Sequence, residues 1–569
     1  STVSWARRCV YETGFYESQA NAVYEVEDWF GEMQGVTYQE HITNLYNAVN
    51  ELTKNPTSTI ARSSLIQNAT AFIDRSEAIY SGLKDYQVTL NTEVNNMVEK
   101  INSLGQRIYN LNKGIVKVEA AGVERANDLR DSRDLALDEL SKYIDIDYYE
   151  TKDGEVIVSA ENVPFITKND IAKMSVREEG TYGLLIPQWE GYQQDVYNFD
   201  KQANNANDTD KGKLKGLLIA RGVIEVNYTD IPVMPERADY DLTTEQGMAE
   251  YNSAMDAYQQ KQDYYNKYIE PSAILSAIAG FDKLVNGIVT AMNDVLCPET
   301  TMDTTKELTD ADGNILKAEK YVYNASTHDV LYDSHGNVVA GKENGDGTYS
   351  YEASEKLYVD ANQEETENID SMTYKILDMS KAGYGMDDDE TRGVELFKRN
   401  GTDRYKQITG ADGGTIYVRN NLNVTGFETD YTLGNLIVNP KASQNVGTLP
   451  LSTEHGKEDF SKVNELIDTF SKKFASLNPE NYAKADFNTF YNDYIGEFAT
   501  MGSVLTKYVN NQTTMVNGYD NQRLQTSGVS SDEELQKMIK YQHAYNAASR
   551  YINVVSEMIE HLVTSLGHA

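Results

Sequence analysis

The sequence predicts an α+β multidomain protein in which both chain ends form a helical rod or bundle, with β-rich domains inserted in the middle and a coiled-coil helix at the C-terminus. Three observations support this. Apolar residues recur at helical spacing in the first and last parts of the 569 residues. The middle carries short β-type runs separated by Asp-Gly, Asn-Gly and His-Gly pairs, which are typical of hairpin turns. The last forty residues form one uninterrupted heptad.

The first 145 residues read as four helices. A break at Asn55-Pro56 separates the first two, because proline removes a backbone donor and restricts the residue before it. The period changes abruptly at Ile146, where β-type runs begin. The predicted helices cover about 14–53, 56–80, 83–119 and 123–145.

The third of these helices carries apolar residues that alternate at spacings of four and three. Polar residues such as Asn91 and Glu99 occupy its other faces. Gly105 and Gly114 each weaken a stand-alone helix by about 1 kcal/mol relative to alanine. We therefore expect this stripe to be the core of a helical bundle rather than a free dimeric zipper. The predicted bundle core is Leu90, Val94, Met97, Ile101, Leu104, Ile108, Leu111, Ile115 and Val118.

The middle of the chain is predicted to be β-rich, with two helical stretches at about 244–268 and 272–296. Helix is expected again at about 458–474 and 484–511. The predicted hairpin turns are Asp153-Gly154, Asp312-Gly313, His335-Gly336, Asn344-Gly345, Asp346-Gly347 and Asp412-Gly413. The predicted division is a helical domain at 1–145 and 456–530, a β-rich domain at 146–299, a variable β domain at 300–430, a return at 431–455, and the terminal helix at 531–569.

The C-terminal heptad predicts a helix with one apolar stripe, begun by a capping box of Ser531 and Glu534. A stripe of this length at a chain end cannot bury itself, so it needs a partner helix. Without one, an isolated helix is only marginally stable in water. The predicted assembly seam is Met538, Tyr541, Tyr545, Ala548, Ile552, Val555, Ile559, Leu562 and Leu566.

Charge and composition exclude several classes of protein. A net charge of −37 and a pI near 4.6 argue against nucleic acid and anionic membranes as partners. Cys9 and Cys297 are the only cysteines, which disfavours a disulfide framework. No signal peptide is recognised, and no apolar run near the roughly 20 residues of a membrane helix is expected.

No catalytic, cofactor-binding or metal-binding site is predicted, and the chain is not expected to be an enzyme. His328 and His335 fall in a hairpin stretch, where turn and surface roles are favoured over a shared metal. The run from Asp310 resembles a calcium loop but has Tyr321 where the twelfth position needs an acid. The acidic run 387–390 is expected to be a solvated loop rather than a cation site.

Two stretches resemble the flagellar hook-associated protein 1 family. Residues 127–141, NDLRDSRDLALDELS, resemble the family segment DLxDxRDxLLDELS. Residues 527–535, SGVSSDEEL, followed by 541–550, YQHAYNAASR, are similar to the family's C-terminus, which hook and rod proteins share in outline. The resemblance covers about 14–220, 270–296 and 430–569 but not 300–425. The family-motif positions are Leu129, Arg133, Asp134, Leu137, Asp138, Glu139 and Leu140.

The resemblance implies a structural protein at the junction between the flagellar hook and filament. Its implied partners are further copies in a ring, the hook protein, hook-associated protein 3 and an export chaperone. Such proteins leave the cell through the flagellar export channel to the extracellular flagellum. The family's usual opening helix and Asn-rich segment are not found here, so we expect an N-terminal inner-tube segment to be missing.

Two other interpretations remain open at the level of sequence. One is another axial protein, hook-associated protein 3 or a flagellin, which copy number would distinguish. The other is a surface adhesin whose Tyr-rich insertion at 300–425 binds a glycan or host protein, which binding by that fragment would support.

Overall fold

Long helices near both ends, with short antiparallel strands and further helices between them, make up the described chain, as the predicted α+β class requires. The computed structural model describes residues 2–31, 37–120, 125–180, 183–199, 212–303, 308–309, 315–316, 342–343, 349–350, 373–409, 415–420, 430–479, 483–527 and 530–566. The helices are α1 Thr2–Phe30, α2 Tyr38–Leu52, α3 Thr59–Glu119, α4 Asn127–Tyr143, α5 Lys213–Arg221, α6 Glu245–Tyr264, α7 Ala273–Leu296, α8 Pro440–Gln444, α9 Phe460–Ser471, α10 Phe487–Ser527 and α11 Ser531–Leu566.

The described strands pair only antiparallel and form small separate sheets. The strands are β1 Ile146–Glu150, β2 Val156–Ala160, β3 Val163–Ile166, β4 Met174–Glu179, β5 Leu184–Trp189, β6 Gln194–Asp195, β7 Glu299–Asp303, β8 Leu308–Thr309, β9 Ile315–Leu316, β10 Lys342–Glu343, β11 Tyr349–Ser350, β12 Thr373–Leu377, β13 Phe397–Arg399, β14 Tyr405–Thr409, β15 Thr415–Arg419 and β16 Leu436–Val438. Their sheet orders are β1-β2-β3, β4-β5-β6, β14-β15-β12-β7, β13-β16, β8-β9 and β10-β11.

The first predicted helix, 14–53, was wrong as a single element, because two helices occupy this stretch. Gly31 ends α1: it has a φ of +68°, and its N–H donates to the carbonyls of Glu27 (3.3 Å) and Asp28 (3.0 Å). Glycine adopts this left-handed conformation at little cost, and it is the usual residue just past a helix end.

The predicted break between residues 80 and 83 was also wrong, since α3 runs unbroken for 61 residues. Ser58 caps its start, where its hydroxyl accepts the N–H of Ala61 at 3.3 Å. Gly82 lies inside the helix against Trp29, and a Cβ there would come within 2.6 Å of the indole ring. Gly82 therefore permits close packing of α1 on α3 rather than a turn.

The apolar stripe of α3 faces the interior over most of its length. Leu111 is only half-buried, since the buried position of that turn is taken by Asn112. Val118 is exposed, because it lies in the last turn of the helix, and its assignment to the core was wrong. The buried members of the stripe are Leu90, Val94, Met97, Ile101, Leu104, Ile108 and Ile115.

Strands, as well as helices, cover this stripe. Besides α4 and α5, strands β3, β4 and β5 pack against α3. The aromatic ring of Phe165, at the end of β3, lies so close to Gly105 that a Cβ there would be 2.5 Å from its Cζ. The helix-only bundle expected from the sequence is therefore a mixed helix and strand core at this level.

Asparagine side chains on α3 form hydrogen bonds to the backbone of strands β2 and β4. Asn112 donates to the carbonyl of Val156 (2.8 Å) and accepts its N–H (3.0 Å). Asn102 makes the same pair of bonds with Met174, both at 2.9 Å. An amide side chain carries the same donor and acceptor as a peptide group. These residues therefore continue the backbone hydrogen bonding of a strand onto a helix.

Several hairpin predictions are confirmed. The turn Asp153-Gly154 joins β1 to β2 with Ile146 opposite Ala160, and β14 pairs with β15 around Asp412-Gly413. Strands β8 and β9, and β10 and β11, pair on either side of predicted turns whose own residues lie outside the described residues. The predicted turn at His335-Gly336, His328 and the calcium-like loop at 310–314 also lie outside the described residues.

The two helices predicted in the middle are confirmed as α6 and α7, joined by one turn of π-helix at Tyr265–Ile269. The expectation of no apolar run near membrane length was wrong for α7, whose length and composition alone would suit a membrane span. Most of α7 is buried among α1, α3, α9 and α10. Its apolar character therefore fits a core helix.

The helices near the C-terminus differ from prediction in their ends. Predicted 458–474 is α9, Phe460–Ser471, and predicted 484–511 is α10, which continues to Ser527. Residues 512–527 are rich in Asn, Gln and Thr, so the apolar period that marks a packed helix is lost there although the helix continues.

Candidate assembly surface

The C-terminal helix α11 is exposed along its length. Of residues 530–565 only Val555 is half-buried, and the others are exposed. The cap lies one residue earlier than predicted: the hydroxyl of Ser530, not Ser531, accepts the N–H of Glu533, at 3.4 Å. Aspartate and glutamates in the first turn also favour the helix through its dipole.

The predicted seam lies on one side of this exposed helix. Its large members are between 56% and 75% exposed: Met538, Tyr541, Tyr545, Ile552, Ile559 and Leu562. Ala548 is exposed and Val555 half-buried, while the side chain of Leu566 lies outside the described residues. Within the described chain, no element covers this row.

Sequence reasoning missed a second apolar row on α11. Tyr551, Val554 and Met558 are 72%, 52% and 63% exposed, and Ala544 and Ala547 continue the same spacing toward the N-terminus. Each lies one position before a seam residue, which is a rotation of about 100° around a helix. The helix therefore presents two neighbouring apolar rows, and the signal was a second 3-4 spacing.

The helix pair α1 and α10 leads from the body of the protein to α11. The rings of Tyr16 and Tyr508 stack with centroids 4.9 Å apart, and Gln512 donates to the Glu12 carboxylate at 2.8 Å. Beyond these contacts, Met515 is 43% exposed. Apolar exposure therefore begins on α10 before α11 starts.

The motif in α4 holds the first hairpin to α3. The buried guanidinium of Arg133 donates through Nη1 to the carbonyl of Gly154 at 2.7 Å. Arg130 bridges Glu119 and Glu150 at 2.7 and 2.6 Å. The Arg130 hydrogen bond is the main reason that the pKa of Glu119 falls to about 2.

The other motif residues lie around this contact. Leu137 and Leu140 are buried, and Leu129 is half-buried. Glu139 pairs with Lys100 at 2.8 Å, whereas Asp134 is exposed with an oxygen 3.6 Å from the Nε of Arg133. Asp138 is half-buried, and its carbonyl accepts the hydroxyl of Ser141 at 2.9 Å. These contacts position α4 against α3 and the first hairpin.

No metal-binding group of three His, Cys, Asp or Glu residues occurs in the part of the chain that the structure describes. The acidic run at Asp387 is a turn in which that carboxylate accepts the N–H of Thr391 at 3.0 Å and also its hydroxyl. Cys297 is a buried free thiol whose pKa burial raises to about 12, so it is unreactive.

Comparisons with known proteins match the same parts of the chain. The family model described as "Flagellar hook-associated protein FlgK helical domain" matches residues 23–254, which include the α4 motif. The model described as "Flagellar basal body rod FlgEFG protein C-terminal" matches residues 520–565, which include both apolar rows except Leu566. Flagellar hook-associated protein 1 of Bacillus subtilis (strain 168) is 24% identical over 563 residues, covering 97% of this chain and 81% of that protein.

A solved structure titled as the flagellar hook junction protein FlgK from Burkholderia pseudomallei is similar at a TM-score of 0.48 and 13% identity, covering 93% of this chain and all of that one. Its TM-score is below 0.5, so the assignment rests on the sequence matches. Those matches define the class: a structural protein of the bacterial flagellum. Within that class the chain is similar to the flagellar hook-associated protein 1 family, in keeping with the resemblance of its sequence motifs.

Proposed function

We propose that this protein is the adaptor at the junction of hook and filament, and that it assembles through α11. The observation that carries the proposal is a 36-residue helix with two exposed apolar rows. Exposing this much apolar surface costs about 25 cal/mol for each Å², which association recovers.

Two adjacent rows support packing between two neighbours rather than in a simple pair. A heptad row alone suits one partner helix, whereas rows about 100° apart suit contacts on two sides. Copies in a closed ring have a neighbour on each side. The proposed arrangement places 531–569 at the inner tube, the helical domain 1–145 with 456–530 around it, and the β domains 146–299 and 300–430 outward.

The proposed partners are further copies of this chain, the hook protein and hook-associated protein 3, with an export chaperone before assembly. The proposed route is the flagellar export channel, which passes unfolded chains. A protein that relies on no disulfide suits this route, and Cys297 is a free buried thiol.

Placing a charge in the seam tests the proposal. Ile552→Asp or Ile559→Asp would bury a carboxylate against an apolar partner, which is strongly unfavourable unless it is paired. We expect cells carrying either variant to lose motility and to bear hooks without filaments. Because both side chains are exposed in the single chain, the purified variants should keep the wild-type circular dichroism and melting temperature.

Asn553→Asp is the matched control, since it adds the same charge next to Ile552 but away from both apolar rows. It should support wild-type motility. Normal incorporation of Ile552→Asp at the hook end would refute packing through the seam. If Asn553→Asp also failed, the effect would be one of charge on this helix and not of the seam.

A further inference from the structure

Three arginines, Arg399, Arg404 and Arg419, form ion pairs next to the sheet β14-β15-β12-β7. The chain leaves this sheet at Asp303 and returns to it at Thr373. Arg404, which precedes β14, donates to Asp294 at 2.8 Å and lies 2.9 Å from Glu299. Arg419 in β15 also donates to Glu299, at 3.1 Å. The contacts join the end of α7 to strands β7, β14 and β15.

Without Glu395, this network contains equal numbers of positive and negative side chains. Arg419 and Arg399 both pair with Asp430, at 2.8 and 3.0 Å. Three arginines thus meet three carboxylates, those of Asp294, Glu299 and Asp430. A fourth ionised carboxylate would leave one negative charge in excess.

Glu395 is that fourth carboxyl, and it is 3% exposed. Its side chain accepts a hydrogen bond from the hydroxyl of Tyr431, and in the described part of the chain it has no ion pair. The same hydroxyl accepts a hydrogen bond from the Nη1 of Arg404 at 2.9 Å. The Tyr431 phenol therefore lies between Glu395 and Arg404, and the Nε and Nη2 of Arg404 already donate to Glu299 and Asp294.

We propose that Glu395 is a protonation switch at the base of the 304–372 insertion. In mild acid its neutral carboxyl leaves the arginine network balanced. In mild alkali its carboxylate competes with Glu299 and Asp294 for Arg404 and loosens strands β7, β14 and β15.

The electrostatics of the surroundings support this direction. Burial raises the pKa of Glu395 to about 7, although Tyr431 and the three arginines act to lower it. Burial raises the pKa of the Cys297 thiol to about 12 and of the Tyr405 and Tyr431 phenols still higher, so all three stay neutral over this range, while Arg404 and Arg419 stay charged.

The sign follows from proton linkage. A carboxyl with a raised pKa binds its proton more tightly in the closed network than when the network opens, so stability is lost as the pH rises through 7. The pKa of Glu395 is about 7 in the closed network, and a solvent-exposed glutamate has a pKa of about 4.3. With these two values, the equilibrium constant for opening the network rises about tenfold between pH 6 and pH 8.

Hydrogen exchange of the full chain, measured by mass spectrometry at pH 6 and pH 8 and corrected for intrinsic exchange rates, tests this. Peptides covering β14 and β15 should show the tenfold rise in the wild type, and Glu395→Gln should show none. Burial also raises the pKa of Asp282 on α7 to about 7. Exchange is therefore followed in the β14 and β15 peptides, because a measurement of global stability would also report the titration of Asp282.

Glu454→Gln removes an exposed charge and should behave as the wild type. A flat wild-type response, or an unchanged rise in Glu395→Gln, would overturn the proposal. If Glu395→Gln does not fold, Tyr431→Phe replaces it: loss of the hydroxyl that stabilises the carboxylate should move the midpoint to higher pH. An unmoved midpoint would count against the switch.

Discussion

Asparagine side chains on helices hold strands at several places in the described chain. Asn102 and Asn112 do so on α3, and Asn293 does so on α7, where it donates to the carbonyl of Phe397 at 2.8 Å and accepts the N–H of Leu396 at 3.0 Å. In the sequence these residues look like the solvated face of a helix. Their role depends on a strand edge far along the chain, which no local pattern reveals.

Asn112→Ala should destabilise the protein by about 3 kcal/mol, because it leaves the buried N–H and carbonyl of Val156 unpaired at about 1–3 kcal/mol each. Urea unfolding followed by circular dichroism measures the change. Asn96→Ala is the control, since Asn96 is exposed on the same helix. Equal effects of the two substitutions would mean that the Val156 contact contributes nothing.

Whole elements show the same limit of local reasoning. The start of α3 and the period of its apolar stripe follow from the sequence. Its continuity through Gly82 does not, because that glycine is explained only by the Trp29 ring against it. A glycine inside a helix pattern can mark a break or a close contact, and tertiary packing decides which.

Two helical glycines give opposite predictions. Gly105→Ala should destabilise the protein by about 1–2 kcal/mol, because overpacking against buried Phe165 exceeds the gain in helix propensity. Gly496→Ala in α10 meets nothing within 4 Å and should stabilise it by about 0.5–1 kcal/mol. Calorimetric melting of both variants provides the measurement. A stabilised Gly105→Ala would mean that Phe165 can move aside.

For the whole molecule, the sequence predicted the helical ends, the β-rich middle and the apolar stripe of the terminal helix. Heptad spacing and Asp-Gly turns are local signals, so they were readable. Sequence reasoning missed the packing of strands, besides helices, on α3, and it missed the second apolar row of α11. The first depends on contacts between distant segments, and the second was hidden because one heptad already accounted for the helix.

The register of β7 and β12 places Asp303 directly opposite Thr373. Replacing 304–372 by Asn-Gly would therefore close an ordinary two-residue hairpin. We expect this deletion variant to keep the wild-type melting temperature of the rest of the chain and to support motility. Loss of secretion or of filaments would show that the insertion is needed for assembly itself. A scrambled insertion of equal length controls for chain length.

Immuno-gold electron microscopy of sheared flagella, with an antibody raised against residues 300–425, tests the junction role most directly. We predict a single band of label at the distal end of the hook, which would also place the insertion on the outer surface. Label along the whole filament would contradict the account and indicate a flagellin. Label on the cell body with bare flagella would contradict it too, and would favour an adhesin.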